Sequence, residues 1–231
     1  MLAPSDTLDL DSFAHRELFD GIEHTWEALP AIAPFLAKEA EKNSDLSKAE
    51  VSDLAHVDAK GVVLGEGCVV EAGAVVKGPA LIGAGTQIRT GAYIRGNVVI
   101  GAGAVIGNSC EVKNSIIFDR SEVPHYNYVG DAILGFRAHL GAGVILSNVR
   151  LDRRDIALLS PAGKRIETGL RKFSAVIGDL AEIGCNSVIS PGSIIGRRSV
   201  LYPLTHWQGC LAEDTIVKTR QDTTLVPRAK S

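Results

Sequence analysis

An aliphatic residue recurs at every sixth position of this 231-residue chain from Leu64 to Val112. The same register returns in two later stretches, which gives 17 matches to one template. A short fixed period of this kind indicates stacked units that bury a continuous core between neighbours. The matching positions are Leu64, Val70, Val76, Ile82, Ile88, Ile94, Ile100, Ile106, Val112, Leu134, Leu140, Leu146, Ile177, Ile183, Ile189, Ile195 and Leu201.

A mostly small residue follows four positions after each of these aliphatic residues, as at Ala74, Ala80 and Ala92. The template suits a coil with flat sides, because each side needs an inward aliphatic and each corner needs a small inward residue. Glycine and asparagine beside the corners tolerate the unusual backbone angles found there. Three hexads would make one triangular coil, and coils would stack at the strand spacing of about 4.8 Å. The sequence therefore predicts an all-β solenoid.

This template resembles that of hexapeptide-repeat proteins. The resemblance implies a left-handed parallel β-helix, whereas the spacing alone gives no handedness and the usual crossover rule would favour the opposite hand. We expect residues 53–210 to form this β-helix and residues 211–231 to form a C-terminal extension.

Residues 1–52 do not follow the repeat and are expected to form a short helical segment with a linker. Apolar residues recur there at helical spacing between Leu18 and Leu29. Pro30 is expected to end this first helix, and a second helix is expected over Ala33–Lys42. The aromatic residues of this segment are interpreted as packing residues.

Composition and charge exclude several classes of protein. Hydrophobic residues make up 45% of the chain, which is enough for a folded core. The net charge of −3 argues against a dedicated nucleic-acid binder. The chain has no long apolar run for a membrane span, and its acidic N-terminus does not look like a signal peptide. The four cysteines lack zinc-ribbon or disulfide-scaffold spacing, so we expect reduced thiols and a cytoplasmic location.

Two interruptions break the aliphatic register, one between Val112 and Leu134 and the other between Leu146 and Ile177. Solenoids expel insertions as surface loops, often at the binding face. The first interruption contains His125, which is therefore expected in an irregular loop. The second contains the basic stretch Arg150–Lys172, with seven bases and three acids. This stretch is either a solvated loop or an anion-binding loop, and function is expected at these two interruptions.

The first interruption carries the run Pro124–Asp131, PHYNYVGD, followed by Leu140–Gly143 and Ser147–Asn148. These residues resemble the acetyltransferase domain of the bifunctional glucosamine-1-phosphate acetyltransferase / N-acetylglucosamine-1-phosphate uridylyltransferase family. The stretch Gly169–Phe173 resembles the archaeal-type version of that domain. The resemblance covers about residues 55–202, and residues 1–60 do not match the nucleotidyltransferase domain of the family.

The resemblance implies an acetyl-CoA-dependent N-acetyltransferase that acts on an amino-sugar 1-phosphate in nucleotide-sugar biosynthesis, and that assembles as a homotrimer. His125 matches the general base of the family, and Asn148 matches an asparagine beside the reacting centre. A histidine suits this task because an imidazole exchanges protons near neutral pH. No covalent enzyme intermediate is needed, and the oxyanion would be stabilised by a backbone N–H or by Asn148.

The resemblance also implies a set of binding residues. Arg95 and Lys113, which stand 18 residues apart, match the two cations that hold the sugar phosphate. If each coil is three hexads, they stack on the same side of the solenoid, one coil apart. His139 stands where the family usually has an asparagine that contacts the sugar, which leaves the identity of the sugar open. The remaining implied residues are Tyr128 and Arg154 for the substrate, and Ala142 and Cys185 for the coenzyme A site.

Two readings from other functional classes stay open at this point. One is a zinc enzyme of the γ-carbonic-anhydrase type, which shares the fold but needs three histidine ligands. The sequence places only His125 and His139 near one interruption, so no metal site is predicted. The other is a non-catalytic scaffold or binding protein that uses the solenoid for assembly. A longer acyl chain or a nucleotide-linked amino sugar also remains possible within the enzyme class. No nucleic-acid or membrane partner is expected.

Overall fold

The computed structural model describes residues 2–42, 48–220 and 222–228. Its central feature is a parallel β-solenoid whose three walls each form one sheet. This confirms the predicted all-β solenoid. Residues 43–47 of the expected linker, and residues 221 and 229–231 of the expected C-terminal extension, lie outside the described residues. Among the described helices, none has both the length and the apolar character that a membrane span requires.

Each wall consists of short strands that lie one above the other in successive coils. Wall 1 contains Glu50–Val51, Val69–Val70, Gln87–Ile88, Val105–Asn108, Glu122–His125, His139–Leu140, Glu182–Ile183, Val200–Leu201 and Ile216–Val217. Wall 2 contains His56–Val57, Val75–Val76, Tyr93–Ile94, Glu111–Lys113, Tyr128–Gly130, Ile145–Leu146, Val188–Ile189 and His206–Trp207. Wall 3 contains Val62–Leu64, Ala80–Ile82, Val98–Ile100, Ser115–Ile117, Ile133–Leu134, Ala175–Ile177, Ser193–Ile195 and Cys210–Leu211.

The aliphatic repeat positions point into the solenoid and form its core. Ile88 pairs with Ile106, and Ile106 pairs with Val123, on adjacent strands of wall 1. All three side chains are fully buried. The small residues four positions later are buried at the corners, among them Ala74 and Ala92. The pairs begin at Glu50 and end at Val217, so strands lie on both sides of the expected boundaries at residues 53 and 210.

The expectation of an irregular loop between Val112 and Leu134 is wrong. The chain stays in the coil there, and Ile106 pairs with Val123, 17 residues later. The inward positions run through Val112, Ile117 and Val129 to Leu134, which are all buried. Two corners each contain one residue fewer than the template, which shifts the register without expelling the chain.

The second interruption is a true insertion, as predicted. The chain leaves the coil after Ile145–Leu146 and re-enters it at Ala175–Ile177. Within the insertion, Ala157–Leu159 pairs with Arg165–Glu167 as an antiparallel hairpin. The insertion ends at a corner of the solenoid, where the Ser174 N–H donates to the Asp131 carbonyl at 2.9 Å.

The N-terminal segment contains two α-helices, Pro4–Thr7 and Ala28–Lys42, separated by three 3₁₀ turns at Leu10–Ser12, Arg16–Phe19 and Thr25–Glu27. The expected helix between Leu18 and Leu29 is wrong, because the chain forms 3₁₀ turns there and an α-helix begins only at Ala28. Pro30 does not end a helix. It lies in the first turn of Ala28–Lys42, where the missing N–H of a proline costs no helical hydrogen bond.

This segment covers the outer face of wall 3. Outward side chains of wall 3 such as Val99 and Ile116 are fully buried against residues of the segment, including Leu29 and Ile32. Wall 3 strands are therefore apolar on both faces, as buried parallel strands usually are. The aromatic residues of the segment pack here, as predicted: the Phe13 ring stacks on Phe118 with centroids 3.9 Å apart.

Candidate functional site

The outer face of wall 2 gathers four of the residues singled out from the sequence. Ile94 pairs with Val112, so Arg95 and Lys113 follow them on adjacent strands, one coil apart. This confirms the predicted stacking of the two cations on one wall. Tyr128 begins the next strand of wall 2, and Asn148 lies just beyond the strand Ile145–Leu146. We call these four residues the wall 2 site.

Three residues of the wall 2 site are connected through one buried carboxylate, that of Asp131. Lys113 Nζ donates to Asp131 Oδ2 at 2.8 Å, and Asn148 Nδ2 donates to the same oxygen at 2.5 Å. Asn148 Nδ2 also donates to the Tyr128 hydroxyl at 3.1 Å. The Asp131 side chain is only 4% exposed and that of Lys113 is 16% exposed. The ammonium therefore compensates a carboxylate that would be costly to bury alone.

The Tyr128 ring lies across wall 2 because Gly130 leaves room for it. A β-carbon at Gly130 would lie 2.5 Å from the Tyr128 hydroxyl oxygen and 3.1 Å from Asn148 Nδ2. Burial raises the pKa of Tyr128, and the carboxylates of Asp131 and Glu111 raise it further. The phenol is therefore neutral at physiological pH and keeps its proton for a hydrogen bond.

Arg95 lies at the more exposed end of the wall 2 site. Its guanidinium donates to Glu111 Oε1 at 2.8 Å, and both side chains are partly exposed. Exposed ion pairs of this kind contribute little to stability, so an anionic ligand can compete for the guanidinium at small cost. The same wall carries Lys77 one coil earlier, with its Nζ 5.7 Å from the centre of the Tyr93 ring.

His125 lies at the end of a wall 1 strand, Glu122–His125, and its side chain is exposed. The next residue, Tyr126, turns the corner between walls 1 and 2 with a φ of 52°. The His125 carbonyl accepts from the Gly143 N–H at 2.9 Å. His125 therefore lies at a corner whose backbone is bonded to the coils on both sides. Tyr128 begins the wall 2 strand that follows this corner.

The two residues implied for the coenzyme lie on the same corner as His125. Glu122 pairs with His139, and His139 pairs with Glu182. Three residues further along each strand, this register places His125 beside Ala142 and Ala142 beside Cys185. The ladder continues at the corner, since the Asn186 N–H donates to the Ala142 carbonyl at 2.8 Å. We call His125, Ala142 and Cys185 the corner column.

A shallow groove of about 330 Å³ runs along wall 1 next to this column, and its lining is almost entirely apolar. The residues that line it include Gly141, Ile183, Cys185 and Leu201. A β-carbon at residue 141 would lie 2.7 Å from the Cys185 nitrogen, so glycine allows the close stacking of these two coils beside the groove.

His139 and Arg154 lie apart from the wall 2 site. His139 faces outward from wall 1, where its Nδ1 lies 2.7 Å from Glu182 Oε2 at the edge of the groove. Arg154 is exposed in the insertion, and its backbone N–H donates to Asp152 Oδ1 at 3.2 Å. Across the described residues, no group of three or more His, Cys, Asp or Glu side chains is arranged to hold a metal ion.

The sequence reasoning missed Asp131, although this residue ends the run that carried the family resemblance. The equivalent corner positions of the two preceding coils are Asn97 and Asn114. The available signal was a carboxylate at a corner position that the two preceding coils fill with asparagine.

Known proteins resemble this chain over most of its length. Residues 76–169 match the family described as the GMPPB C-terminal domain, and residues 55–77 match the hexapeptide repeat of succinyl-transferase. The Uncharacterized acetyltransferase YaiX of Escherichia coli O6:K15:H31 is 32% identical over 188 residues, which cover 79% of this chain and 81% of that protein.

The Bifunctional protein GlmU of Methanococcus maripaludis is 34% identical over 183 residues, which cover 79% of this chain and 43% of that protein. The chain therefore spans less than half of the length of this relative. Among solved structures, a mutant of perosamine N-acetyltransferase from Caulobacter crescentus, in complex with CoA and GDP-perosamine, is 18% identical. That match covers 83% of this chain and 65% of the other, with a TM-score of 0.28.

Proposed function

The chain belongs to the hexapeptide-repeat acetyltransferases, with their left-handed parallel β-helix, and we propose that it transfers acetyl from acetyl-CoA to the amine of an amino-sugar 1-phosphate. The observation that supports this assignment is the joint placement of the wall 2 site and the corner column. Polar groups for an acceptor lie on one wall, an exposed histidine lies at its edge, and an apolar groove leads away along the next wall.

His125 is suited to act as the general base. Its imidazole is exposed at the corner, and its backbone is held by the paired strand of the preceding coil. The amine nitrogen attacks the thioester carbon, the C–N bond forms, and the proton leaves the nitrogen for the imidazole. The C–S bond then breaks and the coenzyme leaves as a thiol after protonation. A positioned general base contributes about 10²–10⁴-fold to such a reaction.

The corner column and the wall 1 groove fit the thioester arm of acetyl-CoA. The groove is shallow and apolar, and Gly141 and Cys185 both line it. Ala142 and Cys185 would line the arm mainly with backbone, because the ladder of carbonyl and N–H groups runs along this corner. A thioester held there would lie next to His125, the first member of the corner column.

The wall 2 site would hold the acceptor. The guanidinium of Arg95 and the ammonium of Lys113 provide charge-assisted hydrogen bonds to a phosphate, and the Tyr128 hydroxyl offers a neutral partner for a sugar. The family resemblance also implies that Arg154 and His139 contact the acceptor, although both lie apart from the wall 2 site within one chain. The family resemblance carried by the run Pro124–Asp131 supports an amino-sugar 1-phosphate as the acceptor.

The direct test is a measurement of coenzyme A release with purified protein and acetyl-CoA. Glucosamine-1-phosphate, galactosamine-1-phosphate and their nucleotide-linked forms are the acceptors to compare, and the N-acetylated product is identified by mass spectrometry. Transfer to a sugar 1-phosphate supports the proposal. Transfer only to a nucleotide-linked amine, or no transfer to any amine, overturns it.

We expect Lys113→Ala to lower kcat/KM for a phosphorylated amine about 10- to 100-fold more than for the unphosphorylated amino sugar. A hydrogen bond to a charged group contributes about 1.5–3 kcal/mol, which corresponds to that factor. The ratio between the two acceptors removes any general loss of folded protein. Lys38→Ala, in the helix Ala28–Lys42 that lies against wall 3, is the matched control. An unchanged ratio in Lys113→Ala would assign the phosphate to other cations.

We expect the chain to form a homotrimer through walls 1 and 2. The N-terminal segment already covers the outer face of wall 3, whereas Ile145 on wall 2 is 46% exposed and Leu151 in the nearby insertion is fully exposed. Light scattering at micromolar concentration should give three times the mass of one chain. A mass of one chain would contradict this expectation.

A further inference from the structure

The corner between walls 2 and 3 carries a column of side chains in three successive coils. Asn97, Asn114 and Asp131 occupy equivalent positions, with φ values of 55°, 44° and 53°. The Asn97 amide donates to Asn114 Oδ1, and Asn114 Nδ2 donates to Asp131 Oδ1 at 2.7 Å. Asparagine adopts the positive φ of this corner in the two preceding coils, so the backbone conformation does not require a carboxylate at residue 131.

The carboxylate of Asp131 is buried, which is unfavourable unless donors surround it. It has three side-chain donors, and only Asn114 belongs to the same column of side chains. The other two, Lys113 and Asn148, belong to the wall 2 site. One buried group therefore fixes the positions of two residues that face the proposed acceptor.

The contacts of Asn148 also fix which end of its amide faces outward. An amide nitrogen has two hydrogens, and those of Asn148 are directed to Asp131 Oδ2 at 2.5 Å and to the Tyr128 hydroxyl at 3.1 Å. A flipped amide would bring its oxygen against the carboxylate, which is electrostatically unfavourable. Asn148 is thereby left with its carbonyl oxygen, a hydrogen-bond acceptor, for a ligand.

We propose that Asp131 is a positioning residue that makes Asn148 a hydrogen-bond acceptor for the amine of the acceptor substrate. This inference rests on the proposed function. An amine that donates one N–H to Asn148 Oδ1 has its lone pair directed elsewhere, toward the thioester carbon. The oxyanion of the tetrahedral intermediate is then left to backbone N–H groups, since both hydrogens of the Asn148 amide are engaged.

The test is a double-mutant cycle with Asp131→Asn and Asn148→Ala. Asp131→Asn places at this corner the residue that the two preceding coils already carry, so the fold should be kept. We expect it to lower kcat/KM for the amino-sugar acceptor about 10-fold or more, the scale of a lost charged hydrogen bond, while the KM for acetyl-CoA stays within about twofold. With the unphosphorylated amino sugar, which offers Lys113 no phosphate, the double variant should be no less active than Asn148→Ala alone, because Asp131 then acts only through Asn148.

Asn97→Gly is the matched control, because it changes the same corner and glycine accepts the positive φ. Its kcat/KM should equal that of the native protein. If the losses of the two single variants multiply in the double variant, or if Asp131→Asn keeps full activity, the positioning role is wrong. If the native protein acetylates no amine at all, the proposed function fails, and this inference falls with it.

A second measurement does not depend on the activity of the variants. In the native protein, the side-chain N–H protons of Asn148, identified by their loss in Asn148→Ala, should exchange with water at least about 10-fold more slowly than those of Asn186, which lies in an exposed corner. Exchange of both groups at the same rate would contradict the two hydrogen bonds on which the inference depends.

Discussion

We expect His125→Ala to lower acetyl transfer at least about 100-fold while leaving the solenoid folded, because this is the lower range of a lost general base. The side chain is exposed at the corner between walls 1 and 2, so its removal takes little from the core. The measurement is kcat with saturating acetyl-CoA and amine, together with the far-UV circular dichroism of both proteins.

His206→Ala is the matched control, because His206 is an exposed histidine on wall 2 in a later coil, 2.8 Å from the Ser190 hydroxyl. Its activity should stay within about twofold of the native value. Full activity of a folded His125→Ala protein would show that another group accepts the proton. His139, on the neighbouring strand of wall 1, would then be the next residue to change.

The walls of the solenoid were predictable because their period is set by local geometry. Each wall needs one inward aliphatic residue, and parallel coils bring those residues into register, as with Ile88 and Ile106. The stacking of Arg95 and Lys113 follows from the same period. Residues that lie one coil apart and at the same step of the hexad share a wall, whatever their side chains are.

The short corners were not predictable from the template. Between Val112 and Ile117 the corner loses one residue, and the strands on both sides keep their pairing. A count in steps of six reads this loss as a break, because it compares positions along the chain. In the structure, pairing is set between adjacent coils, and the strands stay paired although the corner is one residue shorter. His125 therefore ended on a strand where the sequence indicated a loop.

The N-terminal segment shows a different limit. Its apolar residues follow a helical spacing from Leu18 to Leu29, but they are buried against wall 3, and that contact sets their local structure. Helical periodicity reports which residues are buried and does not distinguish a helix from a chain of 3₁₀ turns on an apolar wall. The helix over Ala33–Lys42 was correct in place, and it begins five residues earlier than expected.

The sequence reasoning missed Asp131 for a related reason. Its contacts with Lys113 and Asn148 span 18 and 17 residues along the chain. Asp131 itself lies in one of the two shortened corners. The family resemblance named the donors of this cluster, since they face the substrate. The Asp131 carboxylate, which accepts their hydrogen bonds, is buried behind them. Its role can be recognised only when the stacking of the coils is known.

We expect Phe118→Ala to lower the free energy of unfolding by about 3–5 kcal/mol, the cost of truncating a buried phenylalanine to alanine. Phe118 is fully buried between wall 3 and the N-terminal segment. Its ring stacks on Phe13 with centroids 3.9 Å apart, and it meets Phe19 edge-on at 5.7 Å. The measurement is urea unfolding followed by circular dichroism and by tryptophan fluorescence, since Trp26 lies within the segment.

Leu225→Ala is the matched control, because that leucine is 90% exposed near the C-terminus and its truncation should change stability by less than about 0.5 kcal/mol. The wall 2 site lies on a different face from Phe118, so acetyl transfer by the folded Phe118→Ala protein should stay within about twofold of the native value. A loss of stability below about 1 kcal/mol would contradict the packing of the segment on wall 3. A large loss of activity in the folded variant would instead show that the covered wall and the wall 2 site are coupled through the core.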